Sequence, residues 1–352
     1  MLRKVGKLFR KKQSGSSSSA SPYEKHVGNY EATMCDMSTN IVSFPRVHGN
    51  SAVMSVASAD HDRCLSGAQN SNTVLSDVTS GKIIKQWTGH SKEVTKVVYS
   101  SIADIYVSGS RDKTVCVWKI DQWAPVCRCI GHELVVTGVT VNASGSLICS
   151  GSRDNTVRLW SAETGICLRK SALAQNLVTH VRWSNSNHII AQSGEDKTIH
   201  FWDSRNLEVV LSTKAKQYIQ TWCDISEDDR YILSSSNGFG GQGCEVTLWD
   251  IRSVNQPVRE FYGHFETVSA CCFLVPQHTL ISTCSNDGSV RLWNVNSGDC
   301  ACVLSLPESG PLTSIACDTK NNIFVSSLRT GVQVLTVLSA HDSKRLVRTA
   351  EF

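Results

Sequence analysis

The sequence predicts an all-β protein, a seven-bladed β-propeller preceded by a short, disordered basic N-terminal arm. Three observations support this prediction: a repeat of about 42 residues, pairs of short alternating strands inside each repeat, and no long stretch with helical periodicity. The chain has 352 residues, of which 41% are hydrophobic and 19% charged, as is ordinary for a globular protein. We place the arm at residues 1–39 and the propeller at residues 40–352.

Tryptophans mark the repeat. They occupy the same strand of successive units, at Trp118, Trp160, Trp202, Trp249 and Trp293, with spacings of 42, 42, 47 and 44 residues. Counting 42 residues back from the first reaches Ser76, and counting 42 on from the last reaches Leu335, both in weaker copies of that strand. Before each tryptophan lie two alternating strands joined by an Asp-containing turn, which is a hairpin pattern. Four strands per unit predict propeller blades.

A ring of blades must close on itself, because an open sheet edge would otherwise remain. Two segments compete for the closing position. One is Ile41–Phe44, before the first repeat, and the other is the alternating C-terminal stretch KRLVRTAEF, residues 344–352. The sequence leaves both alternatives open.

Glycine–histidine dipeptides stand at a fixed distance before three of the tryptophans. Each histidine lies 28 or 29 residues before its tryptophan, in the pairs His90–Trp118, His132–Trp160 and His264–Trp293. With the Trp-Asp pairs at Trp202 and Trp249, this spacing resembles the glycine–histidine to tryptophan–aspartate pattern of WD-repeat proteins. The resemblance implies a non-enzymatic scaffold or adaptor that works through protein–protein contacts.

Further segments, such as GHELVVTGV, SNGFGGQGCEVTLWD and YGHFETV, resemble those of one ciliary member of the family. That likeness implies a role in cilium assembly and ciliary trafficking, and a place at the cilium or its base. The fifteen cysteines are odd in number and evenly spread, and no apolar signal segment precedes them. They favour a reducing, cytoplasmic compartment.

Three sets of residues contain the types found in a Ser-His-Asp hydrolase. In WD-repeat folds they form a structural tetrad instead, and the resemblance assigns His90, Ser108, Asp112 and Trp118; His132, Ser150, Asp154 and Trp160; and His264, Thr283, Asp287 and Trp293. A catalytic triad occurs once in a domain, whereas these sets recur at blade spacing. We therefore predict no catalytic residue. Blade four has Gln192 and Ala174 at the serine and histidine positions, and blades one, five and seven are also incomplete.

No cofactor or metal site is predicted. Gly238, Gly240 and Gly243 satisfy G-x-G-x-x-G, but two strands of one hairpin flank them, and a dinucleotide site needs a strand and then a helix. We expect a long, mobile loop there instead. Cys127 and Cys129 lack the nearby third and fourth ligands of a zinc site. The alternative is a small-molecule-binding or enzymatic propeller that uses its central channel.

The residues beside the turn aspartates are candidate partner contacts. In WD-repeat proteins this position lies on the rim near the channel, and here Arg111, Arg153 and Glu195 occupy it. Arginine makes forked contacts with carboxylates and is enriched at interface hot spots, which favours an acidic ligand. Phe239 and Gln242 of the glycine-rich loop join the same predicted rim. We expect other proteins as partners, a monomer, and no nucleic acid, because the net charge is only +4.

The N-terminal arm combines basic and apolar residues ahead of a serine-rich linker. Its candidate membrane contacts are Arg3, Lys4, Lys7, Phe9, Arg10, Lys11 and Lys12. A short basic amphipathic segment can lie on an anionic membrane surface. A nuclear-type basic signal and a plain disordered tail are the alternatives that the sequence leaves open.

Overall fold

The computed structural model describes residues 41–60, 62–172, 176–185, 188–274, 279–340 and 343–352. Within these ranges the chain forms seven sheets, six of four antiparallel strands and one of five strands. The helical structure in the same ranges is a 3₁₀ turn at Pro307–Ser309. The predicted all-β, seven-bladed propeller is confirmed.

Each blade is a meander of four consecutive strands. Blades one to four comprise β2 Val53–Ser58, β3 Arg63–Ala68, β4 Thr73–Asp77 and β5 Ile83–Trp87; β6 Val94–Ser100, β7 Ile105–Ser110, β8 Thr114–Trp118 and β9 Cys127–Ile130; β10 Val136–Val141, β11 Leu147–Ser152, β12 Thr156–Ser161 and β13 Cys167–Ala172; β14 Val178–Trp183, β15 Ile189–Gly194, β16 Ile199–Asp203 and β17 Glu208–Ser212. Blades five to seven comprise β18 Gln220–Ile225, β19 Tyr231–Ser236, β20 Val246–Asp250 and β21 Arg259–Phe261; β22 Val268–Phe273, β23 Leu280–Ser285, β24 Ser289–Asn294 and β25 Cys300–Ser305; β26 Leu312–Cys317, β27 Asn322–Ser327, β28 Val332–Ala340 and β29 Ser343–Glu351. A short strand, β1 Val42–Ser43, precedes them.

The first strand of each blade is innermost and packs against the first strand of the next. The sequence of contacts runs from β2 through β6, β10, β14, β18 and β22 to β26, and β26 in turn contacts β2. The seven blades therefore form a closed ring around a central channel.

The closing position is filled by the C-terminal segment. β29 pairs antiparallel with β28 along nearly its whole length and is the fourth strand of blade seven. The competing segment, Ile41–Phe44, contributes β1, which adds a fifth strand parallel to β29, with Val42 opposite Ala350. The Phe44 N–H also donates to the Glu351 carbonyl across 2.9 Å. Both segments that the sequence offered therefore belong to blade seven: the C-terminal segment is its fourth strand, and Ile41–Phe44 supplies the strand outside it.

Small residues in the second strands let neighbouring blades approach closely. A Cβ placed on Gly109 would lie 2.6 Å from a methyl carbon of Val139, and one on Gly151 would lie 2.3 Å from a methyl carbon of Val178. Both valines belong to the innermost strand of the following blade. The Ser-Gly-Ser sequences at residues 108–110 and 150–152 thus reflect tight packing between blades.

Candidate functional site

Two kinds of connection meet at one end of the propeller, which we name the turn rim: the turn between the second and third strands of a blade, and the segment that enters its first strand. At the turn rim the residue after the second strand donates its N–H to the carbonyl just before the first strand. The equivalent donors of the seven blades are Gln69, Arg111, Arg153, Glu195, Asn237, Asn286 and Leu328, over 2.9–3.1 Å. Three of the rim candidates, Arg111, Arg153 and Glu195, thus occupy one repeated position.

The two arginines at this position use their backbone for the fold and leave their side chains at the surface. The Arg111 side chain is 58% exposed, and its guanidinium pairs with Glu93 at 3.3 Å. An exposed pair of this kind contributes on the order of 1 kcal/mol or less. Arg153 is exposed, and Glu195 is half-buried. Neither arginine side chain is held in the protein interior, so both can meet a ligand.

The glycine-rich loop of blade five forms a hydrogen-bonded turn. The Phe239 N–H donates to the Gln242 carbonyl across 2.9 Å, and the Gly241 N–H donates to the Phe265 carbonyl of the next blade across 2.8 Å. Gly240 and Gly241 adopt positive φ angles of 64° and 80°, which glycine tolerates without steric cost. The turn presents Phe239, which is 77% exposed, and the exposed Gln242 on the turn rim.

The three predicted sets of tetrad residues are each brought together by one hydrogen-bond chain. In every set the histidine Nδ1 lies 2.8–3.0 Å from an aspartate oxygen, its Nε2 lies 2.7–2.8 Å from the hydroxyl, and the tryptophan Nε1 donates to that hydroxyl over 2.8–2.9 Å. The sets are His90, Ser108, Asp112 and Trp118; His132, Ser150, Asp154 and Trp160; and His264, Thr283, Asp287 and Trp293.

The chemistry of these sets is that of a buried network. Ser150 is fully buried, and its hydroxyl binds both Trp160 and His132, so it has no path to a substrate. Burial raises the pKa of Asp154, but the hydrogen bonds from His132 and Thr156 outweigh burial and hold that pKa well below its usual range. Burial also lowers the pKa of His132, against the effect of the carboxylate. Burial likewise lowers the pKa of His264, so blades three and six each hold a carboxylate bonded to a neutral imidazole.

Blade one contains a related set that the sequence reading missed. His48 Nε2 lies 2.9 Å from the Ser66 hydroxyl, and His48 Nδ1 lies 3.3 Å from the Asn70 side-chain oxygen. These partners follow His48 by 18 and 22 residues, the same separations as in the set of His90. Spacing alone could have identified this set, because Ser76 stands where blades two to six have a tryptophan. Burial lowers the pKa of His48 to about 4.

Blade four replaces its missing members with other side chains. Trp202 donates to the Gln192 side-chain oxygen across 2.8 Å, so glutamine takes the place of the hydroxyl. His200, from the strand itself, lies 2.6 Å from Asp196 and takes the place of the loop histidine. Ala174, at the expected histidine position, lies outside the described residues.

The described residues include no group of three or more His, Cys, Asp or Glu side chains that could hold a metal ion. Their fourteen cysteines are free thiols. Within the described chain, no helix has the length and apolar character needed to cross a bilayer. The candidate membrane contacts from Arg3 to Lys12 lie outside the described residues.

Comparison with known families matches four segments of the chain to the model described as "WD domain, G-beta repeat", at residues 81–119, 123–161, 167–203 and 255–294. Each segment holds the fourth strand of one blade and the first three strands of the next. The chain is a WD40-repeat protein. WD40 propellers generally bind other proteins and are typically non-enzymatic scaffolds.

Similar proteins come from varied processes. The chain is 36% identical over 88 residues to the guanine nucleotide-binding protein subunit beta of Arabidopsis thaliana, covering 24% of this WD40-repeat chain and 23% of the relative. It is 31% identical over 71 residues to the Denticleless protein homolog of Gallus gallus, covering 20% and 9%. It is 40% identical over 58 residues to pre-mRNA-processing factor 19 of Oryza sativa subsp. japonica, covering 16% and 11%. The matches span less than a quarter of each relative.

Proposed function

We propose that this WD40-repeat protein is a non-enzymatic adaptor that docks an acidic segment of a partner protein on its turn rim. One observation carries the proposal. Arg111 and Arg153 occupy equivalent positions of neighbouring blades, where the fold uses their backbone and leaves two guanidinium groups exposed. Arginine binds carboxylates through two parallel hydrogen bonds, so two of them in register suit an acidic peptide.

The turn rim also offers an apolar anchor, at blades five and six. Phe239 is 77% exposed and Phe265 is 62% exposed, and a backbone hydrogen bond joins the two loops that carry them. Aromatic side chains on an ordered backbone lose little conformational freedom on binding and are frequent hot spots. We assign Phe239 and Gln242 to the docking surface together with the half-buried Glu195.

The experiment compares charge reversal on the two rims. The variant R111E/R153E changes the turn rim, and the control K82E/R252E makes the same change in charge between third and fourth strands, at the opposite rim. Both exposed pairs should leave the melting temperature near that of the parent. Affinity capture with the full chain and quantitative mass spectrometry should show a subset of partners depleted about tenfold in the first variant alone. Equal recovery of every partner by the two variants would remove the turn rim from consideration.

The process in which the adaptor acts is proposed from resemblance alone. Segments from blades three to seven resemble those of WD repeat-containing protein 31, and on this basis we propose a role in cilium assembly and ciliary trafficking. The corresponding location is the cytoplasm and the cilium or its base. Tagging the full chain at its genomic locus in ciliated cells tests this, and a signal that never coincides with a basal-body marker would contradict it.

A weaker second contact is proposed for the arm. Six basic residues within the first twelve give it a positive charge that suits an anionic membrane surface. The propeller is proposed to act as a monomer, so that each ring would present one turn rim and one arm.

A further inference from the structure

The innermost strands enclose a cavity of about 630 Å³ within the central channel. Small-molecule sites commonly measure about 300–1,000 Å³. Polar groups of three blades line this cavity: Lys96 on β6, Arg182 on β14, and Asp224 on β18, beside the indole of Trp222. These charged groups of the channel take no part in the tetrads or in the hydrogen bonds of the turn rim.

Lys96 is the unusual member of this group. It is only 6% exposed, and its Nζ lies 3.2 Å from the centre of the Trp222 ring. Among the described residues, no carboxylate lies within ion-pair distance of it. A buried ammonium without a counterion is costly. Burial first, and then the charge of Arg182, hold the pKa of Lys96 well below its usual range.

The nearby acid is already engaged. Asp224 accepts from the Arg182 Nε across 3.1 Å and from the Phe273 N–H across 3.1 Å. Glu227, the other acid that lines the cavity, is exposed. With Asp224 and Arg182 compensating each other, Lys96 is the buried group of the cavity wall whose charged form lacks a counterion.

A histidine completes the wall of the site. The His180 ring stacks on Trp222, with ring centres 3.9 Å apart and planes 9° from parallel. Its Nδ1 lies 3.6 Å from the Cys223 sulfur. Burial, and after it the charges of Lys96 and Arg182, lower the pKa of His180, so the ring is neutral near pH 7. The stacked ring fixes the indole over which the ammonium is held.

We propose that this cavity is a binding site for a small oxyanion, a carboxylate or phosphate group, with Lys96 as its counter-charge. Lysine is a frequent ligand of phosphate as a point charge. An anion beside Lys96 would supply the negative charge that the described residues do not. This site is separate from the turn rim, so the outcome of its test is independent of the proposed adaptor function.

The test is calorimetric titration of the full chain with inorganic phosphate and, separately, with acetate, each against sodium chloride at equal ionic strength. Saturable binding of phosphate alone or of acetate alone identifies which oxyanion the site takes. The variant K96M should weaken that binding roughly ten- to a hundredfold, because a charged hydrogen bond is lost. The matched control is K85M: Lys85 is 8% exposed and its Nζ lies 3.5 Å from the ring centre of Trp123, but it is on an outer strand.

A third variant, K96R, keeps the proposal testable if K96M fails to fold. K96R keeps the positive charge and should retain affinity within about threefold of the parent, since a guanidinium also binds oxyanions. Absence of saturable binding of either anion to the parent chain would overturn the proposal. Equal weakening by K96M and K85M would do the same, because it would show a general effect of charge and not a site at Lys96.

Discussion

The Thr313 hydroxyl donates to the Val53 carbonyl across 2.7 Å and so joins the last blade of the ring to the first. The same contact links other neighbouring blades, always from the second residue of one innermost strand to the first residue of the next: Thr95 to Val136, Thr137 to Val178, Thr179 to Gln220 and Thr221 to Val268, over 2.5–2.7 Å. Met54 and Ser269 hold this position in the two remaining blades. The threonine hydrogen bond that repeats between blades thus also closes the ring.

Replacing Thr313 with valine should lower the free energy of unfolding by roughly 1–2 kcal/mol, because the Val53 carbonyl loses a buried partner. The matched variant T137V removes the same contact inside the ring and should cost a similar amount. Hydrogen exchange separates them, with protection lost in β2 and β26 for T313V and in β10 and β14 for T137V. An exchange pattern for T313V that equals that of the parent would contradict a role in closure.

The sequence predicted the blades because tryptophan and aspartate recur at a nearly constant spacing. It did not predict the threonine contacts, because the partner of Thr313 is a backbone carbonyl 260 residues away and carries no sequence signal. It also left the closing segment open, because both termini alternate in the same manner. Length decides between them: β29 runs from Ser343 to Glu351, whereas β1 has two residues, so the longer ladder forms the fourth strand.

The hydrogen-bonded sets, too, were predicted only in part. Those with all four members could be assigned because their residue types and spacing resemble the WD-repeat pattern. In blade four, His200 reaches Asp196 from within a strand, which the spacing of a loop histidine does not anticipate. The channel group was missed because Lys96, Arg182 and Asp224 come from three blades and are related by ring geometry, not by order in the chain.

The tetrads are predicted to stabilise the fold and to catalyse no reaction. Asp154→Ala removes the partner of the buried His132 imidazole and should lower the free energy of unfolding by roughly 1–3 kcal/mol. The control Asp121→Ala changes an exposed aspartate at the opposite rim and should leave it nearly unchanged. Urea titration measures both. An unaltered midpoint for Asp154→Ala, with loss of some hydrolytic activity, would overturn the structural interpretation.

Acidification should destabilise the propeller through His48. Its folded-state pKa of about 4 lies below the ordinary value of 6.5, so between these values the unfolded chain binds a proton that the folded chain does not. The stabilisation is fully present above pH 6.5 and is lost as the pH falls, by roughly 2 kcal/mol between pH 6.5 and 5.

The variant His48→Gln isolates this contribution from the other buried histidines. Its free energy of unfolding, measured in urea at pH 7, 6 and 5, should fall less steeply than that of the parent. His188→Gln, at an exposed position, is the control and should follow the parent. Parallel curves for His48→Gln and the parent would show that His48 binds its proton equally in both states.

The last prediction concerns the arm. Residues 1–12 include six basic side chains, and each basic residue near an anionic surface contributes on the order of 1 kcal/mol. Deleting residues 1–20 should abolish binding to phosphatidylserine liposomes and leave the melting temperature unchanged, because β1 and the blades are retained. Binding of the intact chain should weaken as salt is added, since screening limits each charge to about 8 Å near physiological ionic strength. Phosphate on Ser14 or Ser16 should weaken it further, because it cancels positive charge. An intact chain that ignores these liposomes at low salt would leave the import signal and the plain tail as the two interpretations of this segment.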